Sequence, residues 1–276
     1  MKALTEQAMK VSLTTRSYIN TSTAPAIKEL CELTGYDKFL PCSSGVEACE
    51  AAVKLVRRWG YTVKGIPDGE ANILMMNGVF WGRSITASGA NSDPTRSHKF
   101  GPFTPGFSLV DFDNLGQIEA HLKSHPNCCA VMLEAIQGEG GVIVPAEDYV
   151  AKVKALCEKY NVLLAVDEVQ TGLGRTGKLF AHRYSLEGSG KKPDVVVLGK
   201  ALTGGMTPGS GILADAVIMD EIKMGEHGST FGGNPLSMAV MREAMKILVD
   251  EGLIENSLNM GTLLQKKFKA MSSPLI

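Results

Sequence analysis

The chain has 276 residues, a mass of 29.5 kDa and a formal net charge of −1, with 44 % hydrophobic and 21 % charged residues. That much apolar material excludes disorder as the main state, and a charge near zero gives no field to draw nucleic acid or an anionic bilayer. No stretch approaches the ~18 consecutive apolar residues of a membrane span, and the six cysteines, without a CxxC spacing in a chain this long, read as reduced core thiols.

The first ten residues read as helix. The apolar pair Phe39-Leu40 is followed by a predicted helix over 46–59, with Val46, Cys49, Val53 and Val56 along one face. Short, wholly apolar runs then recur at 73–76, 129–133, 162–166 and 195–198. They do not alternate with polar residues, which is the mark of strands buried on both faces of a parallel sheet. Amphipathic segments predict helices over 114–123, 148–160, 234–250 and 254–270, while 60–69 and 91–106 read as loops. This strand-then-helix rhythm predicts an α/β fold: a three-layer domain with a mostly parallel central sheet covered by helices.

In open α/β sheets the chemistry collects at the carboxyl ends of the strands. Three such ends carry informative residues. After Phe39-Leu40 comes Pro41-Cys42-Ser43-Ser44-Gly45-Val46-Glu47-Ala48. Ser44 is a good N-cap and Glu47 completes a capping box, so the following helix begins with free N–H groups and its positive dipole end, an anion site. After 162–166 comes Asp167, an acid in a low-dielectric place that needs a donor or a cation. After 195–198 comes Lys200, expected to be buried at the sheet end and thereby made a usable amine nucleophile or base. A capped helix, a salt-bridged acid and a loop lysine would each be unremarked alone. Together they supply a phosphate grip, an acid for a pyridine nitrogen and a lysine for an aldehyde, which is what pyridoxal phosphate requires. A competing pattern, Gly172-Leu173-Gly174-Arg175-Thr176-Gly177 with Asp194 downstream, has the form of a dinucleotide fingerprint but does not follow its strand directly. The five histidines show no metal-ligand spacing, so no metal is expected.

Six segments carry a family resemblance. They are Ser44-Gly45-Val46-Glu47-Ala48, Phe80-Trp81-Gly82-Arg83, Glu134-Ala135-Ile136-Gln137-Gly138-Glu139, Asp167-Glu168-Val169-Gln170-Thr171-Gly172, Leu198-Gly199-Lys200-Ala201-Leu202 and His227-Gly228-Ser229-Thr230-Phe231-Gly232-Gly233-Asn234-Pro235. In order and spacing, across nearly the whole chain, they resemble the fold-type-I, class III pyridoxal-phosphate aminotransferases. Phe80-Trp81-Gly82-Arg83, the segment 58–66 and Gly225-Glu226-His227 resemble the ornithine-using branch of that family. The resemblance implies that Lys200 carries the cofactor and shuttles the proton, that Asp167 holds the pyridinium proton, and that Phe80 stacks on the ring. It implies that Gln170 lies near the ring's phenolic oxygen and that Ser44, Gly45 and Val46 hold the phosphate. Thr230 would reach the phosphate of a partner subunit, so a homodimer with shared sites is implied. Arg83 would hold the substrate α-carboxylate, with Glu134 near the site and Glu139 masking a distant arginine. The implied reaction converts ornithine and 2-oxoglutarate to glutamate 5-semialdehyde and glutamate. The alternatives are a donor such as acetylornithine or 4-aminobutyrate, or a chain that binds cofactor without turnover.

Two departures from the family pattern stand out: Ala135 occupies a position usually held by proline, and Met206-Thr207-Pro208-Gly209-Ser210 replaces an aromatic-containing turn. The resemblance also implies a longer protein. An N-terminal segment with substrate-contacting tyrosines, and most of a C-terminal small domain, are expected to lie outside this chain. The expected organisation is a cofactor-binding large domain over 1–252 and the start of the small domain over 253–276.

Overall fold

The computed structural model describes residues 1–15 and 18–271. Seven strands form one sheet: β1 (Lys38–Cys42), β2 (Asn72–Met76), β3 (Phe107–Val110), β4 (Cys128–Glu134), β5 (Leu163–Asp167), β6 (Val195–Leu198) and β7 (Ser210–Ala214). Their spatial order is β1-β7-β6-β5-β4-β2-β3. All run parallel except β7, which is antiparallel to both of its neighbours. The helices are α1 (Lys2–Ala8), α2 (Thr23–Thr34), α3 (Gly45–Thr62), α4 (Ile85–Gly89), α5 (Pro94–Ser97) and α6 (Leu115–Ser124), followed by α7 (Tyr149–Lys159), α8 (Arg183–Leu186), α9 (Ala216–Met219), α10 (Pro235–Asp250) and α11 (Leu253–Lys269).

The apolar runs are strands because both of their faces are covered. In β2, Ile73 and Met75 face the core under α3, while Leu74 and Met76 face the layer of α6 and α7. In β5, Leu163 and Ala165 take the first side, and Leu164 and Val166 the second. In β6, Val195 and Val197 pack under α3, whereas Val196 and Leu198 meet α2 and α10. The two-residue side-chain period of a strand thus feeds two apolar layers at once. α3 presses closely on the sheet with small residues, Ala48, Ala51 and Ala52, all fully buried. Each large aliphatic side chain buried beside them, such as Leu55, contributes about 1.5–3 kcal/mol.

All five strand runs and all six of the longer helices read from sequence are present, with ends shifted by a few residues. The sequence reading lacked α2, β3, β7 and the short helices. The cysteines at 128, 129 and 157 are buried core residues, and none of the six cysteines is in a disulfide. α11 buries no residue of its own, and it meets the rest of the chain through Ile254, Leu258 and the Ser257 hydroxyl, which donates to the Arg175 carbonyl. Of the segment 253–276 assigned to a second domain, 272–276 lie outside the described residues.

Candidate active site

The strand order fixes where a crevice forms. From β2 the chain moves outward to β3, but from β4 it moves inward to β5. The loops leaving the carboxyl ends of these neighbours therefore part, which is the switch point where ligands bind in such sheets. A cavity of about 180 Å³ lies there. Gly45, Val46 and Cys49 of α3 line it, with Phe80 after β2, Glu134 and Glu139 after β4, Asp167 and Gln170 after β5, and Lys200 after β6.

The start of α3 is built as the capping residues predict. Ser44 has extended backbone geometry, and its hydroxyl accepts the Glu47 N–H. The Glu47 carboxylate returns to the N–H of Ser43 at 2.7 Å, one residue earlier than in the usual capping box, and against burial the Ser229 hydroxyl and then this bond hold it below the ordinary carboxylate range. The first two helical N–H groups, those of Gly45 and Val46, have no hydrogen-bond acceptor among the described residues. They face the cavity at the positive end of an 18-residue helix. This is a cradle for an anion. Ser44 itself is exposed and serves the cradle as its cap, without lining the cavity.

Two carboxyls meet on adjoining strand ends, since Glu134 pairs in register with Asp167. Both are buried, at 7 % and 6 % exposure. Burial lifts Asp167 from 3.8 to about 6, against the pull of two donors and of Lys200. The donors are the Val169 N–H, 2.8 Å from Oδ1, and the Cys49 thiol, 3.4 Å from Oδ2. Burial, then the charge of Asp167, lifts Glu134 from 4.5 to about 7. Its oxygens accept the Phe80 N–H at 3.1 Å and the Gly138 N–H at 3.2 Å, so Glu134 ties together the two loops that flank the crevice.

Lys200 lines the cavity, but the expectation that it is buried is wrong: the residue is exposed. The backbone gives the reason. Lys200 begins a 3-10 turn with φ of 39°, and the chain turns off the sheet at the strand end, setting the side chain at the cavity's open side. A positive φ is uncommon for a residue with a Cβ, and strain of this kind gathers at functional sites.

The other predicted residues divide. Phe80 and Gln170 line the cavity, and Gln170 donates to Glu139 at 3.4 Å. Gln170 can close over the crevice only because residue 138 is glycine, where a Cβ would stand 1.6 Å from its Oε1. Arg83 is exposed just before α4, with its guanidinium 5.8 Å from the Phe80 ring centre and no carboxylate partner among the described residues. Arg96, which the sequence reading did not single out, lies 4.9 Å from the same ring centre and is held by Asp93. Thr230 is not brought to this cavity; it is exposed and lines a separate cleft with Leu13 and Ser229. In the sequence Cys49 stands out only as part of a helix's apolar face, and its place one turn after Gly45 is the signal that points to the cavity.

The glycine-rich stretch 172–177 is explained by packing. Glu168 is fully buried and accepts from the N–H groups of Ala181 and His182 and the Thr171 hydroxyl, which folds the stretch back on itself. Gly174 and Gly177 then lie against Ile254 and Leu258 of α11, where a Cβ would come within 3.0 and 2.9 Å.

A seven-stranded, mostly parallel sheet with helices on both faces, carrying a lysine, a buried acid and a helix N-terminus around one crevice, defines the class, and the chain belongs to the class-III aminotransferase family, whose sequence profile matches residues 1–275. Within that family it is 48 % identical over 276 residues to a probable mitochondrial ornithine aminotransferase of Caenorhabditis elegans, covering all of this chain and 64 % of that one. It is similar to an ornithine aminotransferase structure from Toxoplasma gondii, described as having partial occupancy of PLP at its active site, with 43 % identity, a TM-score of 0.94, and 98 % and 63 % of the two chains covered. It is also similar to an acetylornithine aminotransferase from Elizabethkingia anophelis, with 44 % identity, a TM-score of 0.86, and coverage of 98 % and 65 %. The chain thus spans just under two thirds of the length of these relatives.

Proposed function

We propose that the chain is the cofactor-binding part of a pyridoxal-phosphate-dependent ornithine δ-aminotransferase. It would pass the δ-amino group of L-ornithine to 2-oxoglutarate, giving L-glutamate 5-semialdehyde and L-glutamate. One observation carries the reading: two helix N–H groups without an acceptor among the described residues, a buried carboxyl and a lysine open onto one cavity. These residues fit pyridoxal 5'-phosphate, because the anion cradle, the acid and the amine sit on three separate elements around a crevice. When bound, that group supplies an aldehyde carbon and a ring that withdraws electrons from it.

The chain's own residues then have definite tasks. The N–H groups of Gly45 and Val46 bind phosphate oxygens at the dipole end of α3. Asp167 keeps a proton on the ring nitrogen, and low dielectric strengthens that pairing. Lys200 Nζ is the amine that holds the aldehyde and moves the substrate's proton. Phe80 orients the ring, and Gln170 donates toward its phenolic oxygen. Arg83, with no carboxylate partner among the described residues, takes the substrate α-carboxylate through its planar fork and leaves the δ-amine at the reacting end. Glu139 tunes the substrate end beside Gln170, and Glu134 holds the loops of Phe80 and Gly138. Thr230 serves the site of a partner subunit in a homodimer, and the boundary between large and small domains falls at 252–253.

The test is spectroscopic. The chain is loaded with pyridoxal phosphate, its visible absorbance recorded, and the adduct fixed with borohydride and located by mass spectrometry. Label on Lys200 is expected; label on another lysine, or none, overturns the assignment. The similarity to an acetylornithine aminotransferase favours a second reading of the donor. Ornithine, acetylornithine and 4-aminobutyrate are therefore compared by how fast each bleaches the visible band, and ornithine is expected to lead.

A further inference from the structure

We propose that Cys49 is a positioning residue of this site: its thiol holds Oδ2 of Asp167 and ties that carboxylate to the helix whose first N–H groups form the anion cradle. The inference rests on Asp167 being the partner of the cofactor's ring nitrogen.

The division of Asp167's two oxygens carries the argument. Oδ1 accepts from the Val169 N–H, two residues further along its own chain. That bond moves with the strand end and cannot set where the carboxylate stands relative to other elements. Oδ2 accepts from Cys49, which belongs to α3. Cys49 is therefore the donor that fixes Asp167 from outside its own loop. It lies four residues, or about one turn and 6 Å of rise, after Gly45. One helix thus indexes both ends of the cavity, the cradle at its start and the acid one turn on. The neighbours of Cys49 hold it there, since Ala48, Ala51 and Ala52 are fully buried against the sheet.

Cys49 suits this task chemically. It lines the cavity and is itself 1 % exposed. Burial, followed by the adjacent Asp167, pushes its thiol well above the ordinary range, so it remains an S–H donor and does not become a competing anion. The groups facing Asp167 from the surrounding elements are Glu134 from β4, Glu168 next to it in the chain and Lys200 from the 3-10 turn. Glu134 and Glu168 disfavour its charge, and Lys200 and Cys49 favour it.

The experiment uses the 276-residue chain with Cys49→Ser, Cys49→Val and Asp167→Asn. The Asp167 carboxyl is titrated without cofactor by difference infrared spectroscopy, with Asp167→Asn as the reference. The affinity for pyridoxal phosphate is measured in parallel. Cys49→Val, which fills the space and removes the donor, is expected to raise the titration midpoint by about one pH unit and weaken the cofactor about tenfold. Cys49→Ser, which keeps a donor, is expected to recover most of both. Equal behaviour of Val and Ser would mean that residue 49 only fills space, and an unmoved midpoint in Cys49→Val overturns the inference outright. Should Cys49→Val fail to fold, the wild-type S–H stretching band gives the answer, since it must move to the free-thiol frequency in Asp167→Ala, which leaves the thiol no acceptor. If Asp167→Asn leaves cofactor affinity and absorbance unchanged, the reading of Asp167 itself fails, and the infrared titration distinguishes that result from a failure at Cys49.

Discussion

Replacing Glu134 with glutamine tests whether two buried carboxyls on adjoining strand ends work against each other. In the folded chain, burial and then the charge of Asp167 lift Glu134 from 4.5 to about 7. At roughly 1.4 kcal/mol per pH unit, keeping it ionised costs the fold about 3 kcal/mol above pH 7. The folded value is the raised one, so the stability from protonated Glu134 is complete below pH 4.5 and is lost as pH rises through 7. Glutamine does not titrate. It also turns one oxygen acceptor into an NH2 group facing the Phe80 or Gly138 N–H, a loss of about 1–3 kcal/mol at every pH. The variant should therefore be less stable than wild type at pH 4.5 and match or exceed it at pH 7.5. Urea unfolding of the cofactor-free chain at four pH values between these limits measures the difference, and the titrating groups not coupled to Glu134 cancel in the comparison. Two curves that stay parallel across the range would refute the account, because Glu134 would then have an ordinary titration and no coupling to Asp167. The same experiment bears on function: an arriving cationic ring nitrogen would relieve the pair, so loading with cofactor should flatten the wild-type curve.

Three further substitutions probe the site. Asp167→Asn should slow the reaction of the loaded chain with ornithine on the order of 10²-fold, the scale of other lost electrostatic contacts, and near-normal rates would sink its role. Arg83→Ala should weaken ornithine by roughly 10- to 200-fold, from ~1.5–3 kcal/mol for a charged hydrogen-bonded partner. Spectral titration with 1,4-diaminobutane, which lacks the carboxylate, should show no such loss, and equal losses would make Arg83 a fold or cofactor residue. Gly138→Ala would set a Cβ 1.6 Å from Gln170 Oε1, so Gln170 must leave the crevice. Weaker cofactor binding with unchanged thermal stability is the expected result, and unaltered binding argues against any cofactor contact by Gln170.

The parts of the fold legible in the sequence were those whose pattern is set locally. β2, β4, β5 and β6 are apolar on both faces, so a continuous run marks each one. β3 is half-buried along its whole length and β7 reads Ser-Gly-Ile-Leu-Ala, too short and mixed to stand out. The reversed direction of β7 is decided by its pairing with β1 and β6, which no local pattern encodes. Asp167, Lys200 and the cap at Ser44 were legible because each lies within a few residues of the end of an apolar run. The exposure of Lys200 is not legible in the sequence, because it depends on how the chain leaves the sheet, and its φ of 39° is a tertiary outcome. Cys49 escaped notice because a thiol at helical spacing looks the same as any small core residue. Its partner stands 118 positions away.

The backbone at Lys200 also bears on how this protein can be improved or damaged. Glycine tolerates a φ of 39° without steric cost, at an entropic cost of about 0.5–1 kcal/mol, whereas a side chain there costs about 1–2 kcal/mol. Lys200→Gly is therefore a substitution that should raise the melting temperature while removing the amine from the cavity. A screen that rewards only heat resistance or soluble yield would enrich it, and on the role proposed for Lys200 the surviving clones would be the inert ones. If that proposal holds, selection on this chain has to read out the chemistry of position 200 directly, since robustness and usefulness would pull in opposite directions there.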